Sequence, residues 1–431
     1  MPRERVRSPD GATTTWRVVE GVPATRVLNL ASYNYLGFGN KDPYCTPAVV
    51  EAVERYGAST CAPGTDGGHS LPVACLEEKI AEFVGKEAAV VIGMGFATNT
   101  TVLPCLVGPG SLVLSDALNH TSLVLGVRGS GAACRVFRHN DVDHLERILR
   151  CAIAEGQPRT RRPWRKILVL IEGIYSKEGE TSPLGEIAAL CKRYGAYLFL
   201  DEAHSIGAMG GTGRGCCEHE GVSPDLVDVL MGTFTKSFGS CGGYIAGNRD
   251  VIEHLRRTSP GCLAAAAMSP AAAQQALSAL ELILGEDGSD RGIRKIRRLH
   301  AASNWMRLKL VDLGLAVEGD WDSPVIPVML INLSKIAAFS REMLARRIAV
   351  VVVGFPATPL MQGRARLCIS AGHSLTDLRL ALAAIEEVAD LIMLRYHRGR
   401  PDSIPPEIRA LVPSWEAVLA EDDMNDIAMG G

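Results

Sequence analysis

Two side chains thirty-five residues apart, Asp201 and Lys236, carry the chemistry this sequence offers. Lys236 stands in Gly232-Thr233-Phe234-Thr235-Lys236-Ser237-Phe238-Gly239, just after the apolar run Leu226-Val227-Asp228-Val229-Leu230-Met231. Such a run reads as a buried strand. A lysine at its exit is costly to hold charged, which pulls its pKa down and makes it an amine nucleophile for an aldehyde. A lone lysine after a strand is more often a surface residue in a turn; the upstream partner reverses that weighing. Asp201 ends a second apolar run, Tyr197-Leu198-Phe199-Leu200, and leads into Glu202-Ala203-His204-Ser205. One cofactor needs both groups. Pyridoxal 5'-phosphate (PLP) takes a lysine for its Schiff base and a carboxylate on its pyridinium nitrogen, which keeps the ring an electron sink. A strand-end aspartate followed by a strand-end lysine supplies the pair.

With that pair in place, the sequence is identified as a member of the fold-type I PLP enzymes. Within them it resembles the α-oxoamine synthases, and most closely the PLP-binding catalytic subunit of the serine palmitoyltransferase branch. The matching text begins with Ser32-Tyr33-Asn34-Tyr35-Leu36-Gly37-Phe38, Gly93-Met94-Gly95-Phe96-Ala97-Thr98-Asn99 and Asn119-His120. It continues through Gln157-Pro158-Arg159-Thr160-Arg161-Arg162-Pro163-Trp164, Glu172-Gly173-Ile174-Tyr175-Ser176 and Asp201-Glu202-Ala203-His204-Ser205. Residues 232–239, 350–359 and Arg364-Ala365-Arg366 complete it. The motifs fall in family order from about residue 28 to about residue 397.

The resemblance implies a role for each position. Lys236 forms the Schiff base and, once released, is the general base. Asp201 pairs with the ring nitrogen, His120 stacks on the ring, and His204 hydrogen-bonds its phenolic oxygen. Gly95 and Phe96 contact the phosphate at a helix start, where backbone N–H groups favour anions. Thr233 adds a hydroxyl to the same phosphate. Ser176 is expected near the ring, with Glu172 bracing the loop. A glycine-rich turn or a single histidine is by itself more often structural; here the family motif decides. Arg364 and Arg366 flank a strand, and one of them is expected to pair bidentately with the substrate carboxylate. Strand alternation puts both on one face, so spacing cannot choose between them; the family motif favours Arg366. Asn34 or Tyr33 closes the other side of that site.

The activity implied is condensation of L-serine with a long-chain acyl-CoA, palmitoyl-CoA, with loss of carbon dioxide and coenzyme A. The product is 3-ketodihydrosphingosine, the first intermediate of sphingolipid biosynthesis. Two other readings stay open: an α-oxoamine synthase using glycine or alanine with a short acyl-CoA, and a non-catalytic scaffold subunit. The retained Lys236 argues against the scaffold. The resemblance also implies a homodimer, or a heterodimer with a related subunit. It further implies the cytosolic face of the endoplasmic reticulum membrane, reached through a partner, or the cytoplasm for a soluble form. One stretch departs from the branch: Ala62-Pro63-Gly64, Gly68-His69 and Val73 replace a Ser-Thr-Arg turn with a downstream Gly-Asn and His. This region lies near the acyl and dimer side of the family's site, so acyl-chain length and full activity are in question there.

The elements that must position these residues read as an α/β fold. Apolar runs at 88–92, 111–116, 166–172 and 197–200 alternate with helical spacing at 46–56, 71–84, 142–154 and 184–194. That alternation gives a mostly parallel sheet covered on both faces, with active groups at the strand carboxyl ends. After Gly261 the pattern changes to long helices at 271–285 and 293–313 and strands at 324–331, 348–353 and 366–370. Helices at 336–346 and 375–396 complete a smaller α+β domain. The expected division is an N-terminal arm at 1–40, a large PLP-binding domain at 41–262 and a small C-terminal domain at 263–431.

The totals agree with an enzyme of small molecules. The chain has 431 residues, 47% of them hydrophobic, enough for two cores. Its net charge of −3 gives no whole-chain signal for nucleic acid. The twelve cysteines show no metal-ligand spacing and read as reduced thiols. The polar N-terminus lacks the apolar core of a signal peptide, and no run of about eighteen apolar residues marks a transmembrane helix. The resembled subunit usually carries an N-terminal membrane segment, so the expectation is a truncated chain or a soluble form. The basic run Arg159-Thr160-Arg161-Arg162-Pro163-Trp164-Arg165-Lys166 fits coenzyme A phosphates or an anionic membrane. A solvated loop before a strand is the favoured reading.

Overall fold

Short, near-continuous apolar runs make the strands of the sheet that carries the site. In the computed structural model these are Ala88–Ile92 (β1), Leu112–Asp116 (β2), Ala133–Phe137 (β3), Ile167–Glu172 (β4), Tyr197–Asp201 (β5), Val229–Thr233 (β6) and Gly243–Gly247 (β7). The structure describes residues 3–7, 13–18, 22–396 and 404–429. The seven strands are ordered β1-β7-β6-β5-β4-β2-β3, and β7 alone runs antiparallel to its neighbours. Strands buried on both faces belong to parallel sheets with helices on each side. Val90, Val113, Leu170, Phe199, Met231 and Ile245, one from each of six strands, are each at most 3% exposed.

The connecting helices are Cys45–Tyr56 (α1), Leu71–Phe83 (α2), Gly95–Leu106 (α3), Thr121–Ser130 (α4), Val142–Glu155 (α5) and Leu184–Tyr194 (α6). Three of them start or stop on identifiable local chemistry. The His120 side chain caps α4 by accepting from the Ser122 N–H, and Asp141 caps α5 by accepting from the His144 N–H at 2.7 Å. α4 and α6 end on Gly131 and Gly195, both left-handed.

The chain divides into two units. One comprises residues 42–175 and 181–290, and the other residues 1–41, 176–180 and 291–431. The sheet above lies in the first. Pro270–Leu284, which the sequence pattern places past the boundary at 262, packs on α1 and α2 within this unit. The second unit holds a three-stranded sheet, ordered Val325–Ile331, Gly363–Cys368, Val351–Val353. It also holds a four-stranded sheet of Arg3–Arg7, Thr13–Val18, Val22–Asn29 and Ile348–Ala349. The stretch expected as an unpatterned arm therefore contributes three strands. The single strand expected over 348–353 splits, because Ile348 pairs with Leu28 while Val351 pairs with Arg366.

Candidate active site

Parallel strands bring their carboxyl ends to one edge, and there Glu172, Asp201 and Thr233 end the neighbouring strands β4, β5 and β6. Asp201 is 4% exposed and fixed at both oxygens. Its Oδ2 accepts from the side-chain amide of Asn99 at 2.8 Å, and its Oδ1 accepts from the Ala203 N–H at 2.9 Å. The same Asn99 amide reaches Ser122 Oγ at 3.0 Å, while its buried Oδ1 has no hydrogen-bond partner among the described residues. Asn99 lies one turn after Gly95 on α3, and Ser122 lies in the first turn of α4. Two helix starts thus converge on the aspartate.

Lys236 sits in the loop between β6 and β7, whose ends are held in register by the pair Gly243 and Thr233. Phe234 and Phe238 are fully buried and pack edge to face, with centroids 5.6 Å apart. Ser237 Oγ donates to the Ile206 carbonyl at 2.7 Å. These pegs leave the Lys236 side chain half-buried at the cavity wall. The strand begins at Val229 rather than Leu226, because Ser223 caps a short 3-10 turn over Pro224–Leu226.

The cavity, about 280 Å³, is lined by Gly95, Phe96, His120, Asp201, His204, Thr233 and Lys236. At its floor α3 approaches β6 so closely that a Cβ on Gly95 would lie 2.8 Å from Thr233 Oγ1. Only glycine permits this cradle, which brings the Thr233 hydroxyl, donating to the Gly242 carbonyl at 2.8 Å, beside the start of α3. The backbone N–H groups of a helix start are the donors a phosphate requires. On another side the Phe96 and His120 rings meet edge to face at 5.9 Å, and Phe96 is 39% exposed. The His120 backbone N–H donates to the Glu172 carboxylate, so Glu172 holds the loop that presents the histidine. A cradle for phosphate, an anchored buried carboxylate, flat rings and an amine in one cavity fit PLP.

Ser176 does not line this cavity. After β4 the chain passes into residues 176–180, which belong to the second unit, and the Ser176 carbonyl accepts from Arg366 Nη1 at 3.3 Å. In that unit Arg364 and Arg366 share a face of Gly363–Cys368, and both are buried. Their partners separate them. Arg364 meets Glu318 at 2.9 Å and Glu178 at 3.7 Å. Arg366 has no carboxylate partner among the described residues and its guanidinium lies 4.5 Å over the Tyr33 ring. Burial pushes the Tyr33 phenol up to about 12, although the Arg366 charge pulls the other way. Asn34 is used locally: its Oδ1 accepts from the Gly39 N–H at 2.9 Å and its amide reaches Asn40 Oδ1 at 3.3 Å.

Asn99 and Ser122 had no role in the sequence reading. Asn99 had a signal, being a polar residue four after Gly95 and so on the same helical face. Asp116, at the carboxyl end of β2, is turned to bracing. It accepts from the N–H groups of Leu118 and Asn140 and meets His139 Nδ1 at 2.9 Å.

A lysine and an aspartate set this way on a mostly parallel sheet define a fold-type I PLP enzyme. The chain belongs to the aminotransferase class I and II family, whose model matches residues 25–385. It is 57% identical over 380 residues to long chain base biosynthesis protein 2a of Arabidopsis thaliana, covering 88% of this chain and 78% of that one. It is 51% identical to serine palmitoyltransferase 2 of Dictyostelium discoideum, with the same two coverages. A serine palmitoyltransferase structure with PLP superposes with a TM-score of 0.81 at 28% identity, covering 91% of this chain and 92% of that one.

Proposed function

We propose that this chain condenses L-serine with a long-chain acyl-CoA, palmitoyl-CoA, releasing carbon dioxide and coenzyme A and forming 3-ketodihydrosphingosine. It is a PLP-dependent acyltransferase that acts at the first step of sphingolipid synthesis. The relatives named for that activity support the reaction. The observation that carries it is the shared cavity of Asp201, Lys236 and the Gly95–Thr233 cradle.

When bound, PLP supplies an electron sink for negative charge at the serine Cα. The residues do the rest. Asp201, an acceptor fixed at both oxygens, would keep the ring nitrogen protonated. Lys236 Nζ would bind the cofactor aldehyde, and its amine would take the Cα proton as general base. The α3 start with Phe96, and Thr233, would hold the phosphate. His120 would contact the ring, and His204 would donate to the phenolic oxygen. Arg366, with no protein carboxylate on it, binds the serine carboxylate, with Tyr33 beneath it. Arg364 is already neutralised and does not compete.

The test is the spectrum of the PLP-loaded chain titrated with serine, glycine or alanine, followed by product analysis with palmitoyl-CoA. Serine should shift the spectrum and yield the keto base. A response to glycine or alanine alone would turn the assignment to another α-oxoamine synthase.

The protein works as a dimer with itself or a related subunit, at the endoplasmic reticulum membrane through that partner. Family resemblance supports this reading, and among the described residues no helix is long and apolar enough to cross a membrane.

A further inference from the structure

The loop of residues 156–166 joins α5 to β4 and contains five cations and no acid. Arg159, Arg161, Arg162, Arg165 and Lys166 are all exposed. Among the described residues none of them forms an ion pair. The neighbouring acid, Glu155, is taken by Arg135 at 2.6 Å. Like charges crowded on one loop repel, and a mobile loop would spread them. This loop is instead held in one conformation. The Gln157 N–H donates to the Arg162 carbonyl at 2.8 Å, and the Arg161 N–H returns to the Gln157 carbonyl at 2.9 Å. Trp164 pins the base of the loop by donating its indole N–H to the Ala152 carbonyl at 2.8 Å. Arg159 and Arg161 both take positive φ, of 64° and 58°.

Its place in the fold separates it from the cofactor site. The loop enters β4 at the amino end, where the Leu112 N–H donates to the Lys166 carbonyl at 2.9 Å. The cavity lies at the carboxyl ends, roughly 17 Å away along a six-residue strand at about 3.3 Å per residue. The loop thus lies at the opposite end of the strand from the cofactor cavity.

We propose that this loop is an electrostatic docking surface for an anionic lipid bilayer. All five cationic residues are exposed, although Lys166 Nζ also donates to the Leu106 carbonyl at 2.9 Å and Arg161 Nη1 to the Glu155 carbonyl at 3.4 Å, so no single small anion is enclosed. A protein partner is less well served, because stable interfaces need apolar anchors at their centre, and the loop's one large ring is tied inward. A charged lipid surface needs only unpaired cations held out together. Each gains roughly fivefold in partition on an anionic leaflet, and salt screens the gain.

The experiment is co-sedimentation of the full PLP-loaded chain with phosphatidylcholine vesicles, with and without phosphatidylserine, across a salt series. Binding should require the anionic lipid, at least ~10-fold over the neutral vesicle, and vanish at high salt. The combined variant Arg159→Gln, Arg161→Gln, Arg162→Gln, Arg165→Gln should lose it and keep its PLP spectrum and turnover with soluble acyl-CoA. The same four positions changed to Lys should retain it. Equal binding to both vesicles, or binding untouched by the Gln variant, overturns the proposal. So does salt-sensitive self-association, abolished by the Gln variant, in a chain that ignores anionic vesicles; the loop would then meet an acidic face of a second copy. The salt series on the unaltered chain decides even if the Gln variant fails to fold.

Discussion

The Asn99 amide donates to Asp201 Oδ2 at 2.8 Å from the second turn of the helix whose first residue, Gly95, shapes the phosphate cradle. One rigid helix therefore sets the distance between the two ends of the cofactor site. Asp201→Asn keeps the shape and removes the charge that stabilises a protonated pyridine. The variant should fold and lose α-hydrogen exchange of serine by ~100-fold or more, the scale of losing a preorganised electrostatic partner. Exchange in deuterated buffer is the measurement, and a near-parental rate would remove Asp201 from this role.

Lys236→Ala should fold, since Phe234, Phe238 and Ser237 hold the loop without it. It should lose the borohydride-reducible bond between protein and cofactor. Mass spectrometry after reduction checks this, and a labelled peptide elsewhere would relocate the lysine.

The two arginines should part company. Arg366→Gln should weaken serine binding by ~10-fold or more, the scale of a charge-assisted hydrogen bond, and change thermal stability little. Arg364→Gln removes the cation shared by the buried Glu178 and Glu318 and should cost about 2 kcal/mol in a denaturant titration. Equal effects on serine affinity would undo the distinction.

Much of this was legible before the fold was known. Asp201 and Lys236 stood out because each follows an apolar run of strand length. The choice between Arg364 and Arg366 did not, because a period of two puts both on one face; it was decided by Glu318 and Glu178, remote in sequence. Strand β7, Gly243–Gly247, went unread because it is short and begins and ends in glycine. The strands Arg3–Arg7 and Thr13–Val18 went unread because charged and hydroxylic residues dominate them. Their pairing, Arg3 with Val18 and Thr13 with Leu28, replaces the missing apolar pattern.

The turn that departs from the branch is well ordered. Pro63 bridges Ala266, and the Ala267 N–H donates to the Ala62 carbonyl at 3.0 Å. A Cβ on Gly64 meets nothing within 4 Å, so Gly64→Arg should fold normally. It should leave the serine titration unchanged and alter the rate profile across acyl-CoA lengths. An unchanged profile would make the turn a neutral variation.

Glu202, behind Asp201, gives stability a pH dependence. Burial pushes its carboxyl from 4.5 up to about 7, although Ser205 and the Cys216 N–H favour the ionised form. The folded chain then holds a proton that the unfolded chain has released. The stabilisation is fully present below pH 4.5 and is lost as pH rises through about 7. The full change is roughly 3 kcal/mol. Melting temperature should fall across that window, and Glu202→Gln should flatten the fall. A parental slope in the variant would exclude Glu202 as its source.

Strand β7 runs against its neighbours and bonds to both, Gly243 facing Ile92 on one side and Thr233 on the other. The phosphate turn after Ile92 and the lysine loop after Thr233 meet only because this late strand lies between them. On the ribosome, the Gly95 end of the site emerges early and must wait for residue 247. At roughly 5–20 residues per second that interval is on the order of ten seconds. A chain that holds PLP between these two segments has therefore already closed its sheet.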